Sequence, residues 1–216
     1  MKKVLASVLV SATVLGFGLS GVTAFADDTG DDAQTDIGIG FTDYSPGTRP
    51  GDLEIKWAPK TFDFGLTNEV ANSAEVYSED TGKNKYIVVN DVRDKTDGVW
   101  KLTAGLSKLQ SGSIELVGAE LKFDAGKKGY QGTATPEVPG SIIDGTGTAV
   151  VNDAQYTLAQ GATAIDVMHD EGAAGKTHQG FSVLEMENIE LSVPKGSAAS
   201  GRQYSGKINW TLEDTI

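Results

Sequence analysis

The side chains with the most chemical capacity lie in a few short stretches. His169-Asp170-Glu171 and His178 bracket a Gly/Ala loop and put four potential metal ligands within ten residues. Structural and catalytic zinc sites use characteristic ligand spacings. This spacing matches none of them, and the stretch reads as a solvated acidic loop. Asp91, Asp94 and Asp97 recur at every third position before Gly98. Calcium loops present oxygen ligands at every second position, so a turn whose carboxylates accept backbone amide hydrogens explains the pattern better. Asp27, Asp28, Asp31 and Asp32 fit no calcium template and read as a solvated tail. Gly175-Lys176-Thr177 ends like a phosphate loop, but the glycine needed five residues earlier is Asp170. The chain has no cysteine, which excludes a thiol nucleophile, and it lacks the Gly-x-Ser-x-Gly elbow. Thirty acidic residues always allow some carboxylate pair at glycosidase spacing, and nothing singles one out. The sequence reads as non-enzymatic, with no catalytic residue, no metal and no cofactor.

The other distinctive spacing is aromatic. Trp100-Lys101-Leu102 and Trp210-Thr211-Leu212 are two Trp-x-Leu triplets about half a domain apart. The elements that hold them are strands. In Gln203–Leu212, Tyr204, Ile208, Trp210 and Leu212 share one parity with Gly206, and Ser205, Lys207, Asn209 and Thr211 share the other. Strict period-2 alternation marks a strand with one buried face. Trp and Leu therefore share a face, and Lys101 and Thr211 point the opposite way. Two readings stand for the tryptophans. Core burial is favoured by the general distribution of Trp. An exposed aromatic face could stack on a sugar ring or anchor a partner.

Other strand-like runs are Leu53–Trp57, Phe62–Gly65, Tyr86–Val89, Val99–Leu106, Ile114–Phe123, segments within Gly145–Leu158, and Phe181–Val193 closed by Pro194. In the long run, Val117, Ala119, Leu121 and Phe123 share a parity. The separators are rich in Gly, Asp, Asn and Ser, and no window sustains a 3.6-residue period. These patterns predict an all-β fold, an antiparallel β-sandwich with long Gly-rich loops.

Three segments follow. Residues 1–26 read as a secretory signal peptide. Lys2 and Lys3 precede an apolar run, and Ala24-Phe25-Ala26 forms a small-x-small cleavage site. Residues 27–50 read as a disordered acidic leader, and 51–216 as the domain. The net charge is -12, and removal of Lys2 and Lys3 brings it to about -14. Such a chain repels nucleic acid and anionic lipid. A secreted protein without disulfides holds its fold by packing alone. The C-terminal sequence shows no sorting signal or second apolar stretch, so surface retention is expected to be non-covalent.

The two triplets, in this order and setting, resemble the WxL domain family of surface proteins from low-GC Gram-positive bacteria. Asp91-Val92-Arg93 through Trp100-Lys101-Leu102-Thr103 is similar to the proximal motif, and Tyr204 through Trp210-Thr211-Leu212-Glu213-Asp214 to the distal one. Supporting patches are Phe62–Gly65, Leu116–Phe123 and Ile189–Pro194. Val99 between the Gly and the Trp is a small departure. The resemblance implies non-covalent attachment to peptidoglycan at the cell wall. It also implies association with a membrane-anchored WxL-interacting protein, and with other WxL proteins in a surface complex. The site residues it implies are Trp100, Leu102, Trp210 and Leu212, supported by Lys101, Thr103, Tyr204 and Thr211. An alternative is that the domain binds chiefly its protein partner, which itself holds the wall.

Overall fold

The computed structural model describes residues 30–38, 53–93, 99–132, 136, 141–144, 149–170 and 180–215, with only the backbone described for 30–38 and for Thr215. Among the described residues there are fourteen strands and no helix, arranged in two sheets. The first sheet runs β12 (Ile165–His169), β6 (Val99–Leu106), β14 (Ser205–Thr215), β1 (Gly30–Gly38), β3 (Thr61–Phe62). A small hairpin, β7 (Gln110–Ser111) and β8 (Ile114–Glu115), joins it at the start of β14. The second sheet runs β10 (Ile142–Asp144), β9 (Glu120–Tyr130), β13 (Gly180–Val193), β5 (Lys85–Asp91), β2 (Leu53–Trp57). There β11 (Gln155–Ala159) pairs with β9, and β4 (Glu75–Ser78) pairs with β13. Every described pairing is antiparallel except that of β1 with β3. This is the all-β, sandwich-like fold that the alternation predicts.

The core forms from alternate residues of both sheets. β6 and β14 contribute Trp100, Leu102, Ala104, Leu106, Ile208, Trp210 and Leu212, and the second sheet contributes Ile87, Val89, Leu121, Phe123, Leu184 and Met186. β13 is the longest strand, and a bulge divides it. Its register against β9 shifts between Glu187 and Glu190, and Asn188 there adopts φ +47°. Asn is among the residues that tolerate this left-handed conformation. Its side-chain amide donates to Asp124 Oδ2 at 2.7 Å. On the same edge β5 pairs before the bulge and β4 after it.

Several expectations are revised. Residues 30–38, assigned by composition to a disordered leader, form β1 and pair with β14 from Gly30↔Glu213 to Gly38↔Ser205. Polar composition reports local preference, whereas this strand is specified by a distant edge. The run Ile114–Phe123 is two strands rather than one. It turns at Leu116–Ala119, and Val117 is 63% exposed instead of sharing the buried face of Ala119, Leu121 and Phe123. Phe64 lies beyond β3, and β4, β10 and β12 arise where no clear alternation was seen. His169 and Asp170 do not form a solvated loop. His169 is half-buried in β12, and Asp170 is buried with its amide donating to Trp100 O at 2.9 Å. Glu171, His178, the 175–177 loop, the signal peptide, residues 27–29 and 39–50 of the leader, Asp94 and Asp97 lie outside the described residues.

Candidate functional site: the paired motifs and the cleft at their end

The two Trp-x-Leu triplets occupy neighbouring antiparallel strands. In the register of β14 on β6, Leu212 lies opposite Leu102, Trp210 opposite Ala104 and Ile208 opposite Leu106. Opposed residues share a face, so both motifs point into one core. Trp100 and Trp210 are 1% and 0% exposed, and Leu102 and Leu212 are fully buried. A large ring faces a methyl group across the ladder, which lets the strands close without overpacking. The register partner of Trp210 on β1 is Ala33. The intervening residues lie on the opposite face. Thr103 pairs with Thr211, and Lys101 pairs with Glu213 through a 2.8 Å ion pair. Hydrogen bonding to the Glu213 carboxylate, helped by its charge, holds the half-buried Lys101 above its ordinary pKa.

A charged clasp closes the same two strands at one end. Arg93 Nε and Nη2 donate to Asp91 Oδ1 and Oδ2 at 2.9 and 2.8 Å, and Arg93 Nη1 lies 2.6 Å from Asp214 Oδ1. Asp91 Oδ1 also accepts the Arg93 amide at 3.0 Å, the Asp-braced turn that the acidic spacing suggested. Asp91 and Arg93 are buried. Burial by itself would lower the guanidinium pKa, but hydrogen bonds and charge from Asp91 and Asp214 outweigh it and raise the pKa. In register Asp214 lies opposite Trp100. The clasp thus ties the Asp-Val-Arg stretch of the proximal motif to the last turn of the distal strand.

At the other end β14 opens into a cleft of about 460 Å³. Its floor is the end of the core: Phe64, Leu109, Leu116 and Val193. One wall is the loop after β3, residues 65–70, and the other is the 198–204 segment that leads into β14. Each part is positioned by polar bonds. Asn68 Nδ2 donates to Phe64 O at 2.6 Å, and Asp63 Oδ1 accepts the Gly65 amide at 2.9 Å. Tyr77, on β4, donates its hydroxyl to Glu69 O at 3.4 Å, and the Tyr204 hydroxyl accepts the Ala199 amide at 3.0 Å. Gln160 staples the hairpin beneath by accepting the Leu109 amide at 2.9 Å and donating to Leu116 O. Gly206 lets residues 107–109 cross β14. A Cβ there would sit 2.7 Å from Leu109 Cδ2 and 3.0 Å from Lys108 O.

The residues singled out in the sequence thus separate into three places. Trp100, Leu102, Trp210 and Leu212 are core. Lys101, Thr103 and Thr211 lie on the outer face of the first sheet, and Tyr204 lines the cleft. Phe64, Gly65, Leu116 and Val193 of the cleft fall in the supporting patches, whereas Glu69, Tyr77 and Arg202 carry no local signal in the sequence, because loops from both halves of the chain build the recess. Among the described residues no group of three or more His, Asp or Glu could hold a metal ion.

A family model described as the WxL domain, surface cell wall-binding, matches residues 34–215. The chain belongs to the WxL domain family. The match begins at residue 34, inside β1. No curated protein and no solved structure matches the chain. A WxL domain is a surface domain that binds the cell wall. In this one the motif that gives the family its name is the inner face of two paired strands.

Proposed function

We propose that this WxL domain is a non-enzymatic surface module that attaches non-covalently to peptidoglycan, and that it does so through the end cleft. The observation that carries the reading is the burial of both motif tryptophans beside an open recess at the start of the distal strand. Buried rings have no face left for a wall polymer. A preformed concavity with an apolar floor and a few polar groups at its rim is the usual form of a ligand site. The test is sedimentation with purified peptidoglycan. The chain should pellet with the wall, and Tyr77→Ala combined with Leu66→Ser should leave a folded protein in the supernatant. A wild-type chain that stays in solution at every ionic strength overturns the reading.

Charge favours a second reading. At a net charge of -12 the chain gains nothing by long-range attraction from anionic wall polymers. A membrane-anchored protein that itself holds the wall would relieve that repulsion. Calorimetry against such a partner's ectodomain separates the readings, since measurable heat with the partner and no pelleting with bare peptidoglycan favours the second.

A further inference from the structure

The charges of the cleft define its ligand more narrowly. Among the residues lining it, Glu69 and Arg202 alone are charged, one on each wall. Both are exposed, and neither forms an ion pair among the described residues. Elsewhere among the described residues some charges are paired, such as Lys108 with Glu115 and Lys128 with Asp144, and others, such as Lys60 and Lys195, are not, so what sets Glu69 and Arg202 apart is that one recess holds both. An uncompensated cation and anion on opposite walls of an apolar-floored recess suit a ligand that carries both signs. The tyrosine hydroxyls of the walls are already bonded to main-chain groups of the loops, so their first role is to brace the walls.

We propose that the cleft takes the peptide portion of the wall rather than its glycan strand: a short extended peptide with a free amine and a free carboxylate. This rests on the wall-binding reading above. Arg202 would hold the carboxylate and Glu69 the amine, each by a charge-assisted hydrogen bond. Small aliphatic side chains of the peptide would lie on Phe64 and Val193. Gln203 supplies a side-chain amide that matches a peptide backbone, and Asn68, whose Nδ2 is held by Phe64 O and Gly65 O, offers its side-chain oxygen to a peptide N–H. A neutral sugar leaves both charges of the cleft without a counterpart. The overall charge of -12 repels an anionic polymer but is indifferent to a zwitterion of zero net charge. The cleft volume, about 460 Å³, is that of a small-ligand site.

The test is an amide NMR titration of the purified chain with two soluble probes. One is a synthetic tetrapeptide with a lysine amine and a C-terminal carboxylate, and the other is a tetramer of N-acetylglucosamine. The peptide should give saturable shifts confined to residues 64–70, 193 and 198–204, and the glycan oligomer none. Arg202→Gln and Glu69→Gln should each weaken peptide binding by about tenfold, the loss expected for one charge-assisted bond. Amidating the carboxylate should abolish the effect of Arg202→Gln and leave that of Glu69→Gln. Glycan shifts in the cleft, or peptide binding indifferent to both variants, overturn the proposal. So does the absence of response to either probe by a chain that still pellets with whole peptidoglycan, which leaves the wall reading standing. Failure to pellet overturns the wall reading itself.

Discussion

Arg93 Nη1 lies 2.6 Å from Asp214 Oδ1, and through that contact the stretch preceding β6 grips the far end of β14. The grip is buried and asymmetric, one cation between two carboxylates, with the guanidinium fork committed to Asp91. Removing the cation leaves two carboxylates facing each other away from water. Arg93→Met is therefore expected to cost about 3–5 kcal/mol. Asp214→Asn should cost less, because Arg93 keeps its bidentate partner. Urea unfolding checks both, and an Arg93→Met variant as stable as the parent would show that the clasp does not hold the strand end.

The motif tryptophans are the largest fully buried side chains. Trp210→Ala opens a cavity opposite Ala104 that neither strand can fill, at a cost of roughly 3–5 kcal/mol. That is a large part of the ~5–15 kcal/mol typical of a domain. Binding to peptidoglycan, counted per folded molecule at low temperature, should be unchanged. Full stability with lost binding would mean that the ring contacts ligand after all.

The strands that carry the motifs were legible because each has one wet and one dry face. Val99–Leu106 and Ser205–Leu212 alternate without interruption, and period 2 has no other common cause. In Phe181–Val193 the alternation of Ile189, Leu191 and Val193 was visible, but the bulge at Asn188 was not, because Ser182 to Met186 before it are buried on both faces and carry no period. β1 was hidden because Asp, Gln and Thr pair with β14 by main-chain bonds that composition does not report. The cleft was hidden for a different reason. Glu69, Tyr77 and Arg202 are distant in sequence, and only the two sheets bring their loops together. Tyr204 could be picked out because it continues the parity of Ile208, Trp210 and Leu212 one residue ahead of β14, and Arg202, two residues earlier, has no such neighbour to mark it.

Gly206 sits where the chain after β6 crosses β14, and its missing side chain makes room for Leu109 and for the carbonyl of Lys108. The leucine methyl can rotate away, but the carbonyl is main chain and cannot. Gly206→Ala should cost about 1–3 kcal/mol, the range for overpacking. It should also shift the Leu109 methyl resonances, because that side chain forms part of the cleft floor. A variant with unchanged stability and unchanged Leu109 signals would place the crossing elsewhere.

Acid stability should report two carboxylates of opposite sense. Burial alone would raise the Glu79 pKa, but the Thr81 hydroxyl and amide and the Lys85 ammonium, 3.0 Å away, bring it below its ordinary value. Its folded pKa is thus lower than its unfolded one. The stabilisation is full above the unfolded value, near pH ~4.3, and is lost as pH falls through the folded value. Asp166 is the reverse case. Desolvation is the main cause of its raised pKa, only partly offset by the charges of His169 and Lys101, and because its side chain is 39% exposed, solvent screening keeps the effect on stability small. Its ionisation therefore weakens the fold at neutral pH, and protonation relieves that as pH falls through the folded value. Glu79→Gln should destabilise the protein at pH 7 and flatten the acid limb of its stability curve. Asp166→Asn should stabilise it at pH 7 and make no difference near pH 3, where the parent is already protonated. Urea midpoints measured from pH 3 to pH 7 test both. Parallel curves for parent and variants would show that neither carboxylate carries the linkage.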